Sequence, residues 1–392
     1  MVKKKQKESR ISQPYAIALL ILLYACQGIP IGLVFGTINI LLKKFLSYSE
    51  LAIFSLASYP YSLKLFWSPL VDAFYFKGKR RRSWIVPIQI IMGVLLYFTS
   101  FEIDNMIPTD NFKDHQGFNI NTFTAFWFFV IFLAATQDIA VDALALTILD
   151  EENKSYASTC QTIGINIGYF TSFTIFMALN SVPFSKGYIY YYLYDKSNIP
   201  DDPILTLGQY IYGCSILYIL SGFALMFVKE PDTEEKMSVK AIYSEMLAIC
   251  KVKHIKQFIF FLLLNKIAFI CQDTITALKL MDKGFKQEDL ALAVLIDFPI
   301  QMVLGVLIAK WSSGDLPLRP WKLSYIGRLF MAFIIPLFVF YIPVEASLSN
   351  STFILVIFCT ILSSFFSNSQ FISISAFISQ VADPRIVNLK LI

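Results

Sequence analysis

Long apolar blocks recur along the whole 392-residue chain and restrict its fold more than any other feature. A run of about 20 apolar residues is the length that a helix needs to cross a hydrocarbon core. We identify ten such spans, and we expect each to be helical because lipid offers no partner to a free backbone group. The sequence therefore predicts an all-α polytopic membrane protein. The spans are Tyr15–Leu42, Leu51–Tyr75, Trp84–Phe101, Phe123–Leu149, Tyr156–Val182, Leu207–Val228, Phe258–Leu280, Leu290–Lys310, Tyr325–Ile342 and Phe353–Val381.

The composition excludes several other classes of protein. Apolar residues make up 56% of the chain and charged residues 16%, whereas soluble domains carry about one quarter charged residues. The net charge of +5 does not indicate nucleic-acid binding, because the positive charge lies in particular loops. The six cysteines lack the spacing of metal ligands, and the chain has neither a Gly-rich phosphate loop nor an HExxH motif. We expect no cofactor and no metal. A membrane-embedded acyltransferase usually needs a histidine inside the membrane. This class is disfavoured because the two histidines of the chain, His115 and His254, lie in or beside loops.

Lysine and arginine are distributed unequally between the two sets of loops. With the N-terminus in the cytosol, 23 of these residues, Arg328 among them, fall on the cytosolic side and seven on the opposite side. The three that remain, Lys64, Lys266 and Lys279, fall within spans. Such a bias predicts a cytosolic N-terminus. We find no cleavable signal peptide and expect the first span to act as the targeting signal.

The spans fall into two groups. Six spans occupy residues 1–228, a polar cytosolic linker occupies residues 229–257, and four further spans occupy residues 258–392. Two six-helix halves joined by a charged linker are typical of secondary transporters. We expect the second half to be incomplete or divergent.

The loop after the second span carries an acid followed by a basic cluster. Asp72 ends the span, where a negative charge is unfavourable against the helix dipole, and it therefore needs a positive partner. Arg80, Arg81 and Arg82 supply candidates. The pattern resembles the loop signature of the major facilitator superfamily, in which it acts in gating. The alternative is a solvated basic loop that only sets the topology.

Ionisable side chains inside the spans are the candidates for function. Each costs about 2.5–3.5 kcal/mol near the bilayer centre, so we expect these side chains to face the interior of the helix bundle. As candidates for substrate binding we take the lysines placed within spans and two polar neighbours: Lys64, Lys266, Lys279, Asp273 and Gln137. As candidates for proton or ion coupling, or for structural pairing, we take three acids: Asp138, Asp142 and Asp297.

Spacing relates some of these residues to one another. Asp138 and Asp142 are four residues apart and share a helix face. Lys266 and Asp273 are seven apart and also share a face, so they are expected to be able to pair. The alternative to a functional role for the whole set is a group of structural ion pairs between helices.

Small residues recur at four-residue spacing in two spans. Gly28 and Gly32 flank Pro30 in the first span, and Gly164 and Gly168 occupy the fifth. This spacing permits close helix approach, and the proline is expected to kink its helix. Packing is the favoured interpretation, and a gating role is the alternative.

Several stretches resemble the acetyl-coenzyme A transporter family of the endoplasmic reticulum membrane, a branch of the major facilitator superfamily. The most specific is Ala-Thr-Gln-Asp-Ile-Ala-Val-Asp, which ends at Asp142. The other matching stretches are Leu23–Leu33, Ser62–Asp72, Tyr156–Cys160, Gly164–Phe170, Lys266, Leu278–Leu280, Leu290–Leu292, Pro299–Gln301 and Asp383–Pro384.

The resemblance implies a major facilitator fold and import of acetyl-coenzyme A from the cytosol into the lumen by alternating access. It places the chain in the endoplasmic reticulum membrane, with the lipid bilayer and acetyl-coenzyme A as its partners. The family continues for at least two spans after the Asp-Pro. An incomplete second half would leave Asp72 without the partner that the last helices provide in the superfamily.

The charges by themselves leave other functions open. A proton-coupled carrier of another anionic solute, such as a peptidoglycan fragment or a sugar phosphate, would show the same pattern, with Asp138 and Asp142 taking protons. A scaffold that does not transport is a further alternative.

The predicted topology is testable by the accessibility of introduced cysteines. A cysteine at residue 80 is expected to react with an impermeant reagent from the cytosolic side only, because the loop is assigned to the cytosol. A cysteine in place of Lys186 is the control, since that residue is assigned to the luminal side. Labelling of residue 80 from the lumen would overturn the orientation.

Overall fold

The chain folds into helices that divide into two compact units. The structure, a computed structural model, describes residues 12–76, 78–107, 118–150, 153, 156–191, 200, 202–228, 238–285, 287–312, 316–342 and 350–381. The two units are Met1–Ile255, the N-terminal unit, and Lys256–Ile392, the C-terminal unit. The predicted all-α class is confirmed, since the described residues form helices and turns without a strand.

Nine helical stretches in the described part are long and apolar enough to cross a membrane. They coincide with nine of the ten predicted spans. In the N-terminal unit the helices are α1 Gln13–Ile31, α2 Ile38–Lys43, α3 Tyr48–Ser55, α4 Tyr59–Leu63, α5 Ser68–Ala73, α6 Arg82–Met106, α7 Ile120–Ile148, α8 Tyr156–Phe170, α9 Phe176–Leu179, α10 Val182–Phe184, α11 Leu207–Met226 and α12 Val239–Lys251.

The second span is the exception, because it is helical in short pieces and not in one continuous stretch. It is divided into α3, α4 and α5, with 3₁₀ turns at Leu56–Ser58 and Lys64–Phe66. Pro60 and Pro69 stand near the starts of α4 and α5, where proline is tolerated but cannot continue a preceding helix. The breaks place Lys64 on a tight turn in the middle of the span.

Serine hydroxyls bond the carbonyl groups around these breaks. Ser55 Oγ donates to Ala52 O at 2.7 Å, and Ser58 Oγ donates to Ser55 O at 2.7 Å. Ser68 does the same for Leu65 O at 3.1 Å. Such bonds make an irregular helix tolerable in an apolar layer.

The first and fifth spans pack closely through their glycines. A Cβ atom added to Gly168 would lie 2.7 Å from Gly28 Cα, and one added to Gly32 would lie 2.9 Å from Tyr169 Cα. A Cβ added to Gly164 would lie 2.7 Å from Ile21 O. The backbones of α1 and α8 therefore approach as closely as they do because these positions carry no side chain.

Both of these spans also contain a widened turn. Pro30 lies inside α1, and a π-helical segment, Gly32–Thr37, follows it. The fifth span has a corresponding segment at Thr171–Ile175. Thr37 Oγ1 donates to Ser172 O at 2.6 Å and joins the two widened segments.

The later part of the predicted linker is helical. Residues 229–237 lie outside the described part, and α12 follows them, with Ser238 Oγ accepting from Ala241 N at 3.3 Å. Tyr243 Oη of this helix donates to Phe66 O at 2.6 Å. The helix is therefore held against the broken second span of the N-terminal unit.

The C-terminal unit consists of four long helices. They are α13 Lys253–Asp282, α14 Gln287–Ser312, α15 Arg319–Tyr341 and α16 Asn350–Val381. α16 packs against both α14 and α15, and the hydroxyls of Ser312 and Ser373 lie 3.0 Å apart where α14 meets α16. α15 begins six residues before the predicted start of the ninth span. Arg328 was expected in the cytosol and instead lies in the middle of α15, 5% exposed.

Close packing of α1 on α8 predicts a specific response to substitution. Gly168→Ala should lower the midpoint of thermal unfolding in detergent, because forcing an extra methyl group into a packed interface costs about 1–3 kcal/mol. Gly213→Ala in α11 is the matched control, since no atom lies within 4 Å of a Cβ at that position. Equal midpoints for the two variants would contradict the packing described here.

Candidate functional site

An ion pair inside the N-terminal unit joins the broken second span to α7. Lys64 Nζ contacts Asp138 Oδ2, and the ammonium also lies 5.0 Å from the centre of the Tyr61 ring. The Asp138 side chain is fully buried, whereas 32% of the Lys64 side chain is exposed. The acid is therefore fixed in the interior, and the cation is the partner that a solute could reach.

Asp142, one turn further along α7, has a different set of partners. Tyr24 Oη of α1 donates to Asp142 Oδ1 at 2.8 Å, and Gln161 Nε2 of α8 donates to the same oxygen at 2.9 Å. Both donors are neutral. The sequence placed Asp138 and Asp142 on one helix face, and the structure shows that this face meets three other spans.

The arrangement around Asp138 has more acid than base. Lys64 supplies one positive charge to a cluster that contains two carboxylates, and Asp138 Oδ1 is buried without a hydrogen-bond partner. Gln137, beside it, is 1% exposed and its Nε2 also has no partner. A proton bound to one of the carboxylates would balance the charge and reduce the penalty of burying it.

The turn that carries Lys64 is anchored on α7 by an aromatic residue. Trp67 Nε1 donates to Thr136 Oγ1 at 3.1 Å, and the Trp67 ring lies 4.9 Å from the ring of Phe132. Thr136 lies two residues before Asp138 on the same helix. Movement of the turn would therefore change the position of Lys64 relative to Asp138.

The acid of the predicted loop signature is paired within its own loop. Arg81 Nη1 lies 2.5 Å from Asp72 Oδ1, and Arg80 Nη2 lies 3.9 Å from the same oxygen. Arg82 Nη1 instead donates to Met226 O at the end of α11, at 3.1 Å. The prediction that the basic cluster supplies the positive partner of Asp72 is thus confirmed.

A second buried ion pair lies in the C-terminal unit, and the sequence analysis missed its cation. Arg328 Nη2 donates to both oxygens of Asp273, at 2.8 and 2.6 Å, and Nη1 donates to Gln370 Oε1 at 2.8 Å. The guanidinium carbon lies 4.4 Å from the centre of the Phe269 ring. The restriction of intramembrane cations to three lysines is therefore wrong. A signal was present, because Arg328 falls inside the predicted ninth span and not in the loop to which it was assigned.

The two remaining lysine candidates have different positions. Lys266 lies on α13, but its side chain is outside the described part of the structure, so its expected pairing with Asp273 stays a prediction. Lys279 lies in the last turn of α13, half exposed, with Nζ 3.4 Å from Asp282 Oδ2. A lysine at the end of a spanning helix can extend its ammonium towards the membrane interface.

Asp297 belongs to a network of amides in the C-terminal unit. It is 8% exposed and accepts from Gln301 Nε2 at 2.8 Å. Asn368 Nδ2 of α16 donates in turn to Gln301 Oε1 at 3.0 Å. Within the described ranges, no three His, Cys, Asp or Glu side chains are grouped as metal ligands would be.

The chain is similar to known membrane transporters. Residues 16–235, 228–319 and 314–389 match the family model described as Acetyl-coenzyme A transporter 1. An uncharacterized membrane protein of Saccharomyces cerevisiae is 39% identical over 440 residues, which cover 93% of this chain and 77% of that protein. The anhydromuropeptide permease of Escherichia coli is 27% identical over 166 residues, which cover 42% of this chain and 31% of the permease.

A solved structure of a transporter resembles nearly the whole chain. It is the crystal structure of a bacterial homologue of the human lysosomal transporter Spinster, in an inward-facing and unoccupied conformation. The two share 13% sequence identity with a TM-score of 0.53, over 95% of this chain and 84% of the other. At this identity the likeness shows the fold, which is that of the major facilitator transporters.

The Lys64–Asp138 pair predicts coupling between two substitutions. Lys64→Gln alone leaves a buried carboxylate without its counter-charge, which costs about 3–5 kcal/mol in a buried pair. Adding Asp138→Asn should recover much of the lost thermal stability in detergent, because the unpaired charge is then removed. Additive losses in the double variant would show that the two side chains do not interact.

Proposed function

Because the chain belongs to the acetyl-coenzyme A transporter 1 family and is a membrane transporter, we propose that it carries acetyl-coenzyme A across the endoplasmic reticulum membrane. Transport runs from the cytosol to the lumen, by alternating access of the two halves, and the N-terminus lies in the cytosol. The family match over most of the chain is the observation that carries this proposal.

The chemistry of the substrate fits the charges inside the spans. Acetyl-coenzyme A carries several phosphate charges, and its path through a low-dielectric interior needs cations that attract phosphate and also release it. Lys64 is suited to this role because its side chain is partly exposed while that of its partner, Asp138, is buried. Lysine binds phosphate as a point charge, without demanding one orientation.

Exchange of partners at Lys64 would connect binding to movement. When a substrate phosphate binds the Lys64 ammonium, the buried Asp138 carboxylate loses its counter-charge. This loss is unfavourable unless the carboxylate gains a proton or the turn moves. The turn at Lys64–Phe66 is the irregular part of its span and is the place where such movement is least costly. We assign Gln137 to the same binding region because it is buried beside Asp138 with an unused donor.

Proton coupling is the second candidate for this site. Lys64 faces two carboxylates, and the two donors to Asp142 are neutral, so this acid can exist in its protonated form without breaking an ion pair. Tyr61 and Asp138 are its other ionisable neighbours within the cluster. Under this proposal Asp142 carries the coupling proton, and Asp297 in the C-terminal unit is retained as a further candidate.

The remaining candidates are assigned to gating or to substrate binding. Arg81 holds Asp72 at the cytosolic end of the second span and would release it when the gate moves, while Arg80 and Arg82 support the loop. Lys266 and Asp273 stay candidates for substrate binding. Lys279 is a weaker one, because it lies at the end of its helix beside Asp282.

A different anionic solute is the alternative substrate. The similarity to the Escherichia coli anhydromuropeptide permease covers less than half of this chain, and it makes a peptidoglycan fragment the competing substrate to test. The two substrates differ in phosphate content. Strong inhibition of transport by free coenzyme A would favour the proposed substrate over this alternative.

Uptake of labelled acetyl-coenzyme A into proteoliposomes tests these assignments. Lys64→Gln should reduce uptake about tenfold or more and weaken inhibition by free coenzyme A, because a charged partner of phosphate is lost. Asp138→Asn and Asp142→Asn should each reduce uptake while membrane insertion is retained, and Asp142→Asn should also abolish any stimulation by a pH gradient. Lys251→Gln, on the exposed side of α12, is the matched control.

Two outcomes would contradict the assignments. Unchanged competition by coenzyme A in Lys64→Gln and Lys266→Gln alike would show that these lysines are structural and that phosphate is held elsewhere. Full uptake by the Asp138→Asn/Asp142→Asn double variant would leave only a structural role for the two acids.

A further inference from the structure

Arg328 is held from several sides in the interior of the C-terminal unit. Its side chain is 6% exposed, Gln370 accepts from Nη1, and the Phe269 ring lies against the guanidinium. Each carboxylate oxygen of Asp273 accepts a bond from Nη2. A guanidinium fixed in this way keeps its orientation when any single partner leaves.

One donor of this guanidinium is not used. Arg328 Nε is buried and has no hydrogen-bond partner in the structure. Nε and Nη2 form one edge of the guanidinium, and this edge can bind two oxygens of a phosphate through parallel bonds. Asp273 takes only the Nη2 half of that edge, so the present arrangement leaves an unsatisfied donor that a phosphate would satisfy.

The partners of the pair also differ in accessibility. The Asp273 side chain is 30% exposed, compared with 6% for Arg328. The acid is therefore the member that can swing away from the pair, while the cation stays fixed. In the N-terminal unit the order is reversed, since there the acid is buried and the cation is exposed.

We propose that Arg328 is a phosphate-binding site of the transporter, and that Asp273 occupies this site when substrate is absent. The inference rests on the proposed function, since the phosphate is one of those of acetyl-coenzyme A. On binding, two phosphate oxygens accept from Nη2 and Nε, and the Asp273 carboxylate moves to the exposed side. Gln370 and Phe269 keep the guanidinium in place throughout.

This proposal differs from a purely structural ion pair in what substitution of the acid should do. If Asp273 competes with the substrate for Arg328, Asp273→Asn should tighten binding, because the amide is a weaker competitor than the carboxylate. If the pair is only structural, the same change removes a stabilising partner and gives no gain in affinity.

The test measures how acetyl-coenzyme A raises the thermal unfolding midpoint of the purified full chain in detergent. Ligand that binds the folded state raises the midpoint in a concentration-dependent way. Arg328→Lys keeps the charge but loses the paired edge, and it should need at least about tenfold more ligand for the same shift. Asp273→Asn should need less ligand than the unsubstituted chain for the same shift. The control, Lys251→Gln, should need as much ligand as the unsubstituted chain.

Further ligands identify the group that is bound. Dephospho-coenzyme A lacks one phosphate, pantetheine has none, and inorganic phosphate reports on phosphate alone. Pantetheine should give no difference between Arg328→Lys and the unsubstituted chain, because it has nothing for the guanidinium to bind.

The outcomes separate the inference from the function on which it rests. If acetyl-coenzyme A stabilises the unsubstituted chain, and Arg328→Lys and Asp273→Asn respond at the same concentration, the inference is overturned and the proposed function stands. If acetyl-coenzyme A does not stabilise the folded unsubstituted chain, both are contradicted. Should Arg328→Lys fail to fold, an affinity in Asp273→Asn that is no tighter than in the unsubstituted chain overturns the inference by itself.

Discussion

No water is present in a hydrocarbon layer to replace a lost hydrogen bond, and this constraint explains most features of the structure. Backbone groups must be satisfied within helices or by nearby side chains, and a charge must find a partner in the protein. The broken second span meets the first requirement through serine hydroxyls that bond nearby carbonyls. Within the described residues, the second requirement is met by a buried ion pair in either unit: Lys64 with Asp138, and Arg328 with Asp273.

The two pairs differ in ways that matter for a transporter. In the N-terminal unit a partly exposed ammonium sits on an irregular turn and faces a buried acid. In the C-terminal unit a buried, planar cation faces a partly exposed acid. A mobile point charge can follow a moving anion, whereas a fixed guanidinium imposes one geometry on it. A carrier of a large phosphate-bearing solute must bind the phosphate and also release it. A carboxylate that can replace the phosphate at each cation makes release possible.

Much of this architecture can be read from the sequence, because apolar length and helical spacing are local properties. The positions of nine spans and the shared face of Asp138 and Asp142 are of this kind. The partners of Asp142 cannot be read in this way, since Tyr24 and Gln161 belong to other spans and meet it only through helix packing. Arg328 was counted with the cytosolic loop because it lies only three residues after the predicted start of its span, at Tyr325, although it falls inside that span. The break at Lys64 depends on two prolines whose combined effect appears only once the helices are packed.

The central claim is that the chain transports acetyl-coenzyme A, and counterflow tests it most directly. Proteoliposomes containing the purified chain are loaded with unlabelled acetyl-coenzyme A and diluted into a trace of the labelled compound. The account predicts transient, saturable accumulation of label that free coenzyme A suppresses and that empty liposomes do not show. Absence of accumulation by the folded protein, or accumulation of a labelled anhydromuropeptide instead, would contradict it.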